Sequence, residues 1–131
     1  PQDVTLPSLS KPLPSAVALH GSSTALAHEL WKIMDQGYAL SLQFSKDHDE
    51  QALAKAEKVW EDEAQAMVSA NLDSSIGDYF SQIKLADNPK DGSTQGVRIC
   101  NLIRGKVDIL TVFSNQLIGA DDQAHKQPKT P

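Results

Sequence analysis

Apolar residues recur along this chain at helical spacing. The most apolar segment of its length is Val97 to Ile118, VRICNLIRGKVDILTVFSNQLI. Within it Ile99, Ile103, Leu110, Phe113 and Leu117 fall in steps of four, seven, three and four, one face of a helix. Val97, Cys100 and Val107 widen that face, and Leu102, Ile109 and Val112 carry it further round. A helix apolar over so much of its circumference needs cover from several sides. The pattern predicts a helix over 94–118 that is the central member of a helical bundle, or one that also meets a partner. Its middle, VDILTVF, is β-branched enough to pass for a strand, but no partner strand is predicted elsewhere.

Upstream, Ser22 or Ser23 can cap a helix over 23–45 by accepting from an otherwise orphan N–H. Its seam is Leu26, Leu30, Ile33, Gly37, Leu40 and Phe44, with Gly37 as a hole that invites close approach by a neighbour. Trp31, Met34 and Tyr38 flank the seam. Asp47 followed by Glu50 is a capping pair that starts a second helix over 48–71, with a seam of Leu53, Ala56, Trp60, Met67 and Ala70. Its many alanines make it thin, and its surplus acids read as a solvated face. Asp73 offers the next cap, for a helix over 74–86 carrying Ile76, Tyr79, Phe80 and Ile83. Gly77 inside that helix costs about 1 kcal/mol relative to Ala, so it marks a contact point or a weak spot.

The breaks are as informative as the runs. Residues 86–96, ADNPKDGSTQG, contain the turn dipeptides Asn-Pro and Asp-Gly. Gly119 suits the position just after a helix C-terminus. Residues 1–21 hold four of the seven prolines and predict an extended arm, with Leu6, Leu9 and Leu13 as possible anchors. Residues 120–131 are polar, end in proline and predict a disordered tail. The expected fold is therefore all-α: an antiparallel bundle of about four helices over 22–119, between a Pro-rich arm and a flexible tail.

Charge narrows the choice of partner. The net charge is −5, and Arg98 and Arg104 are the only arginines. A phosphate backbone needs clustered Lys and Arg, so nucleic acid and anionic membrane surfaces are excluded as expected partners. No run approaches the ~18 apolar residues that span a bilayer. Cys100 is the single cysteine, which rules out an internal disulfide and any multi-thiolate metal site; on the apolar face it reads as a small buried hydrophobe. No Asn-x-Ser/Thr acceptor occurs, since Asn71, Asn88, Asn101 and Asn115 all fail. The first residue is Pro1 and not Met: a removed leader would mean export, and otherwise a cytoplasmic protein is expected.

Catalytic and metal motifs are missing. A di-metal carboxylate bundle needs Glu-x-x-His, but Lys32, Leu53, Trp60, Ala64 and Ala66 stand three after Glu29, Glu50, Glu57, Glu61 and Glu63. His28-Glu29 opens like the zinc-protease helix motif, yet Lys32 stands at the second His position. Asp47-His48-Asp49-Glu50 reads as a solvated cap. Gly105-Lys106 lacks the rest of a phosphate loop. The expectation is a protein that is not an enzyme and takes no cofactor and no metal. Its expected partner is another protein or a second copy of itself, met through the apolar faces of its helices. Ile99, Ile103, Val107, Leu110, Phe113, Leu117, Trp31 and Tyr38 are the candidate contact residues. The alternative is a carrier of a small apolar ligand such as a lipid, with a pocket lined by Trp31, Met34, Trp60, Met67 and Phe113. An ordinary filled core accounts for the same five residues.

Overall fold

The computed structural model describes residues 4–5, 16–19, 21–85 and 94–126, with the backbone alone for 4–5 and 120–126. Four helices pack on one another, as the periodicity predicts. They are α1 (Ser23–Asp47), α2 (Glu50–Asn71), α3 (Ser74–Ser81) and α4 (Gln95–Lys126). Two short strands, β1 (Val4–Thr5) and β2 (Lys84–Leu85), pair antiparallel, with Val4 opposite Leu85 and Thr5 opposite Lys84. Neither appears in the sequence reading, which extends the third helix to residue 86. That helix ends at Ser81, and Lys84–Leu85 runs extended against β1.

The spine is α4. It lies along α1, also meets α2, and is touched by both strands. Phe44, near the end of α1, sits over Gly96 at the start of α4, so the two helices run antiparallel. Ile103, Val107, Leu110, Phe113 and Leu117 are buried on the α4 side, Leu26, Leu30 and Ile33 on α1, and Ile76 and Phe80 on α3. Each such side chain removed from water contributes about 1.5–3 kcal/mol. The arm takes part as far as it is described. Ala16 is buried and donates its N–H to Gln116 (2.7 Å), while Ala18 bridges Leu72 and Leu19 N–H donates to Asn71 (2.9 Å). The proposed anchors Leu6, Leu9 and Leu13, most of the 86–96 loop and the last five residues lie outside the described residues.

Helix ends show where local chemistry overrides the expected boundaries. Ser22 caps α1, its hydroxyl accepting from Ala25 N–H. The chain then turns through His48, whose φ of 54° is left-handed, and Asp49 caps α2 by accepting from Ala52 N–H. Asp47, the expected cap, still belongs to α1; its carboxylate accepts from Asp49 N–H one step earlier. Asp73 precedes α3, but its carboxylate takes the Ser75 hydroxyl, and its carbonyl receives the Ile76 and Gly77 N–H groups. α4 continues through Gly119 to Lys126, so the first seven residues of the expected tail are helical. Gly119 takes no left-handed φ, and Ala, Gln and Lys beyond it favour helix.

Gly37 is a point of close approach. A Cβ there would lie 2.8 Å from the Trp60 ring and 3.1 Å from Ile103 Cγ2. The ring is not free to yield, because Trp60 Nε1–H donates to the Ile33 carbonyl at 2.7 Å in the core. Gly37→Ala should therefore lose about 1–3 kcal/mol to overpacking, despite the ~1 kcal/mol that Ala offers a helix. Urea unfolding followed by fluorescence measures the balance; an unchanged or higher midpoint would show that Trp60 can shift.

Candidate functional site

The candidate contact residues divide into two groups. Ile99, Ile103, Val107, Leu110, Phe113 and Leu117 are all buried in the bundle's own core. Trp31 and Tyr38 are on the outside, 40% and 55% exposed, and Leu42 joins them at 61%. Helical geometry explains the line. These three residues are seven and four apart, so they share one flank of α1, turned away from the Leu26–Leu30–Ile33 face. His28 lies against Trp31, with ring centroids 4.9 Å apart. Tyr38 lines a groove between α1 and α4 with Ser41, Ser45, Cys100, Ile103 and Arg104. Cys100 is therefore half-exposed at the groove wall rather than fully buried. Val97, one turn before it, is exposed as well. Arg104 is exposed, and no carboxylate among the described residues pairs with it.

The five residues of the ligand-pocket alternative are dispersed. Trp31 faces out, Met34 and Met67 are half-buried, and Phe113 is enclosed. Trp60 lines a groove with Gln36, Leu40, Ala56, Val59 and Glu63, and none of the other four lines it. Met67 is engaged locally, its sulfur receiving the Asn71 side-chain amide.

A second constellation escaped the sequence reading. The buried positions of α2 are Leu53, Glu57, Trp60, Ala64 and Val68, a seam rotated from the expected one, and it carries a carboxylate inward. Facing it from α4 is Lys106, 0% exposed. Its Nζ donates to the Phe80 carbonyl (3.3 Å), stands 4.3 Å above the Phe80 ring, and is 3.9 Å from Glu61 Oε1. Glu57 Oε1 is buried without a hydrogen-bond partner. Burial, then the hydrogen bond with Glu61 and its charge, push the Glu57 carboxyl up to about 8, against the pull of Lys106 and Lys58. Burial also lowers the Lys106 ammonium, opposed by Glu61 and Glu57. The cluster joins α2, α3 and α4. Lys106 is closed to solvent, and its amine ties α4 to the Phe80 carbonyl of α3.

Periodicity rules that skip charged residues could not find it. Admitting Glu57 between Leu53 and Trp60 gives steps of four, three, four and four, and that regularity was the available signal. Lys106 was hidden for a different reason: its four-carbon stem fills apolar volume while only the tip needs partners. Among the described residues no three His, Cys, Asp or Glu side chains gather as a metal site, and no helix is long and apolar enough to cross a membrane. No family model, no curated protein and no solved structure matches the chain.

Proposed function

We propose that the protein is a non-catalytic interaction module whose contact surface is the outer face shared by α1 and α4. The observation that carries this reading is the exposed line Trp31, Tyr38 and Leu42, beside a groove walled by Cys100 and Arg104. Large aromatic side chains dominate the energetics of protein interfaces, and a contiguous exposed set is costly to leave in water. The partner is a second protein with apolar side chains for this line and an acidic group for Arg104. The buried row from Ile99 to Leu117 serves the same end indirectly, by holding α1 and α4 in a fixed relation.

The test is capture of a partner by the full chain, compared with a Trp31→Ala/Tyr38→Ala/Leu42→Ala variant and with Arg104→Glu. Substitutions at such exposed sites usually move stability by within about 0.5 kcal/mol, so the fold serves as its own control. The expected result is one stoichiometric complex, lost in the triple variant and weakened at least tenfold by Arg104→Glu. A strict monomer by sedimentation, with capture identical for wild type and triple variant, would remove the proposal. A homodimer abolished by the triple variant would identify the partner as a second copy.

A further inference from the structure

The opposite flank of α1 carries a separate groove, and its chemistry selects a different occupant. Between α1 and α2 runs a channel whose lower part is lined by Leu40, Gln43, Phe44, Asp47, Asp49, Ala52, Leu53 and Ala56. Leu40 and Ala56 are shared with an upper part that adds Gln36, Val59, Trp60 and Glu63, so the two parts are continuous. The channel exists because α2 presents Ala52 and Ala56 where larger residues would have filled the space beside α1. Leu40 and Phe44 are consequently only half-buried, and Val59 is 58% exposed. From Asp49 to Glu63 on α2 the channel is about 20 Å long, the length of a helix of about 14 residues.

Its rim has one sign of charge. Asp47, Asp49 and Glu63 are the charged lining residues, and no Lys or Arg lines either part. Lys55 lies on the outer flank of α2 and lines a neighbouring depression instead. The Asp47 carboxyl is held below its usual range by hydrogen bonds from the Gln43 side chain and the Asp49 N–H, so this end stays anionic on mild acidification. An apolar floor with an acidic rim repels phosphate backbones and anionic lipid and attracts cationic side chains. A groove between two antiparallel helices also has the shape that a third helix fills.

We infer that this α1/α2 groove binds a basic amphipathic helix of a partner protein. Leucine-class side chains at i, i+3 or i+4, and i+7 would lie on Leu40, Phe44 and Ala56, with Lys or Arg reaching the acids at the rim. The assignment is independent of the α1/α4 face, which lies on the other side of α1.

The experiment titrates the full chain into a fluorescein-labelled, end-capped 14-residue peptide with Leu at helical spacing and Lys elsewhere. Two control peptides accompany it: the same composition scrambled to abolish the apolar face, and the Glu counterpart of the Lys peptide. Binding of the amphipathic Lys peptide alone, weakened by added salt, is the expected result. Ala56→Arg, which fills the floor, should weaken it at least tenfold. Exposed Val59→Lys does so without touching the core, and circular dichroism checks that both variants fold. The Trp31→Ala/Tyr38→Ala/Leu42→Ala variant should bind as wild type does, which separates this inference from the α1/α4 proposal. No binding up to about 100 µM (weaker than about −5.5 kcal/mol), equal binding of the scrambled peptide, or indifference to both groove variants would each overturn it.

Discussion

Lys106→Ala is expected to lower the stability of the fold by about 2–5 kcal/mol, the cost of truncating a long, fully buried side chain to Ala. The substitution removes the donor to the Phe80 carbonyl, the cation over the Phe80 ring and the ammonium nearest Glu61. It also leaves a cavity where a fully buried stem had been. Lys106→Met separates the two effects, because Met refills most of the volume and restores no charge. A Glu57→Leu/Lys106→Met double variant goes further and takes two of the ionisable groups out of the core together. Replacing buried ionic groups by apolar residues of similar volume is often neutral or stabilising, so the double variant should recover most of what Lys106→Ala loses. Urea midpoints for the three proteins decide the matter. Equal stability of wild type and Lys106→Ala would mean that the cluster contributes nothing to holding α2, α3 and α4 together.

Stability should also fall as pH rises through neutrality, and Glu57 should account for the fall. Its carboxyl goes from an ordinary 4.5 to about 8 in the fold. A raised acid binds its proton more tightly folded than unfolded. Its favourable contribution is thus complete below pH 4.5 and lost between there and about pH 8. Within that window the slope approaches about 1.4 kcal/mol per pH unit, for a total on the order of a few kcal/mol. Lys106 acts in the opposite sense: its lowered ammonium contributes stability that grows as pH rises towards 10.5. Glu57→Gln isolates the carboxyl. The variant should be more stable than wild type at pH 8 by about 1–3 kcal/mol and close to it at pH 5. Asp47 and the other carboxylates are common to both proteins and cancel in that difference. Parallel stability curves for wild type and variant from pH 5 to pH 8 would show that Glu57 is already charged in the fold.

Much of the helical architecture was legible because α1 and α4 bury one continuous apolar face each, and such faces print their period on the sequence. Leu26, Leu30, Ile33 and Gly37 on α1, and Ile99, Ile103, Leu110, Phe113 and Leu117 on α4, all lie inside as the spacing predicts. The errors have local causes. A two-residue turn through left-handed His48 moved the α2 cap from Asp47 to Asp49. Pairing with β1, about eighty residues away in sequence, drew Lys84 and Leu85 out of the third helix, and no local pattern carries that information. Of the candidate contact residues, spacing identified the buried ones as a face without revealing that the chain covers that face itself. The exposed Trp31 and Tyr38 flank the seam by the same rule, but only the position of α4 shows that no helix covers them. Glu57 and Lys106 were invisible to any reading that equates the core with apolar letters.

The principal neighbour of α1 is α4 and not α2, the next helix along the chain. Gly37 meets Ile103 about half the chain away, and the Val4–Leu85 pairing closes a still longer span. Such closures must be made before native contacts reward them, which slows folding relative to a bundle of sequential hairpins. On the ribosome, α1 emerges with Leu30 and Ile33 awaiting the face of α4, which is synthesised after α2 and α3. The nascent chain is therefore exposed to aggregation until α4 has left the exit tunnel, and this is the interval in which a chaperone would matter most.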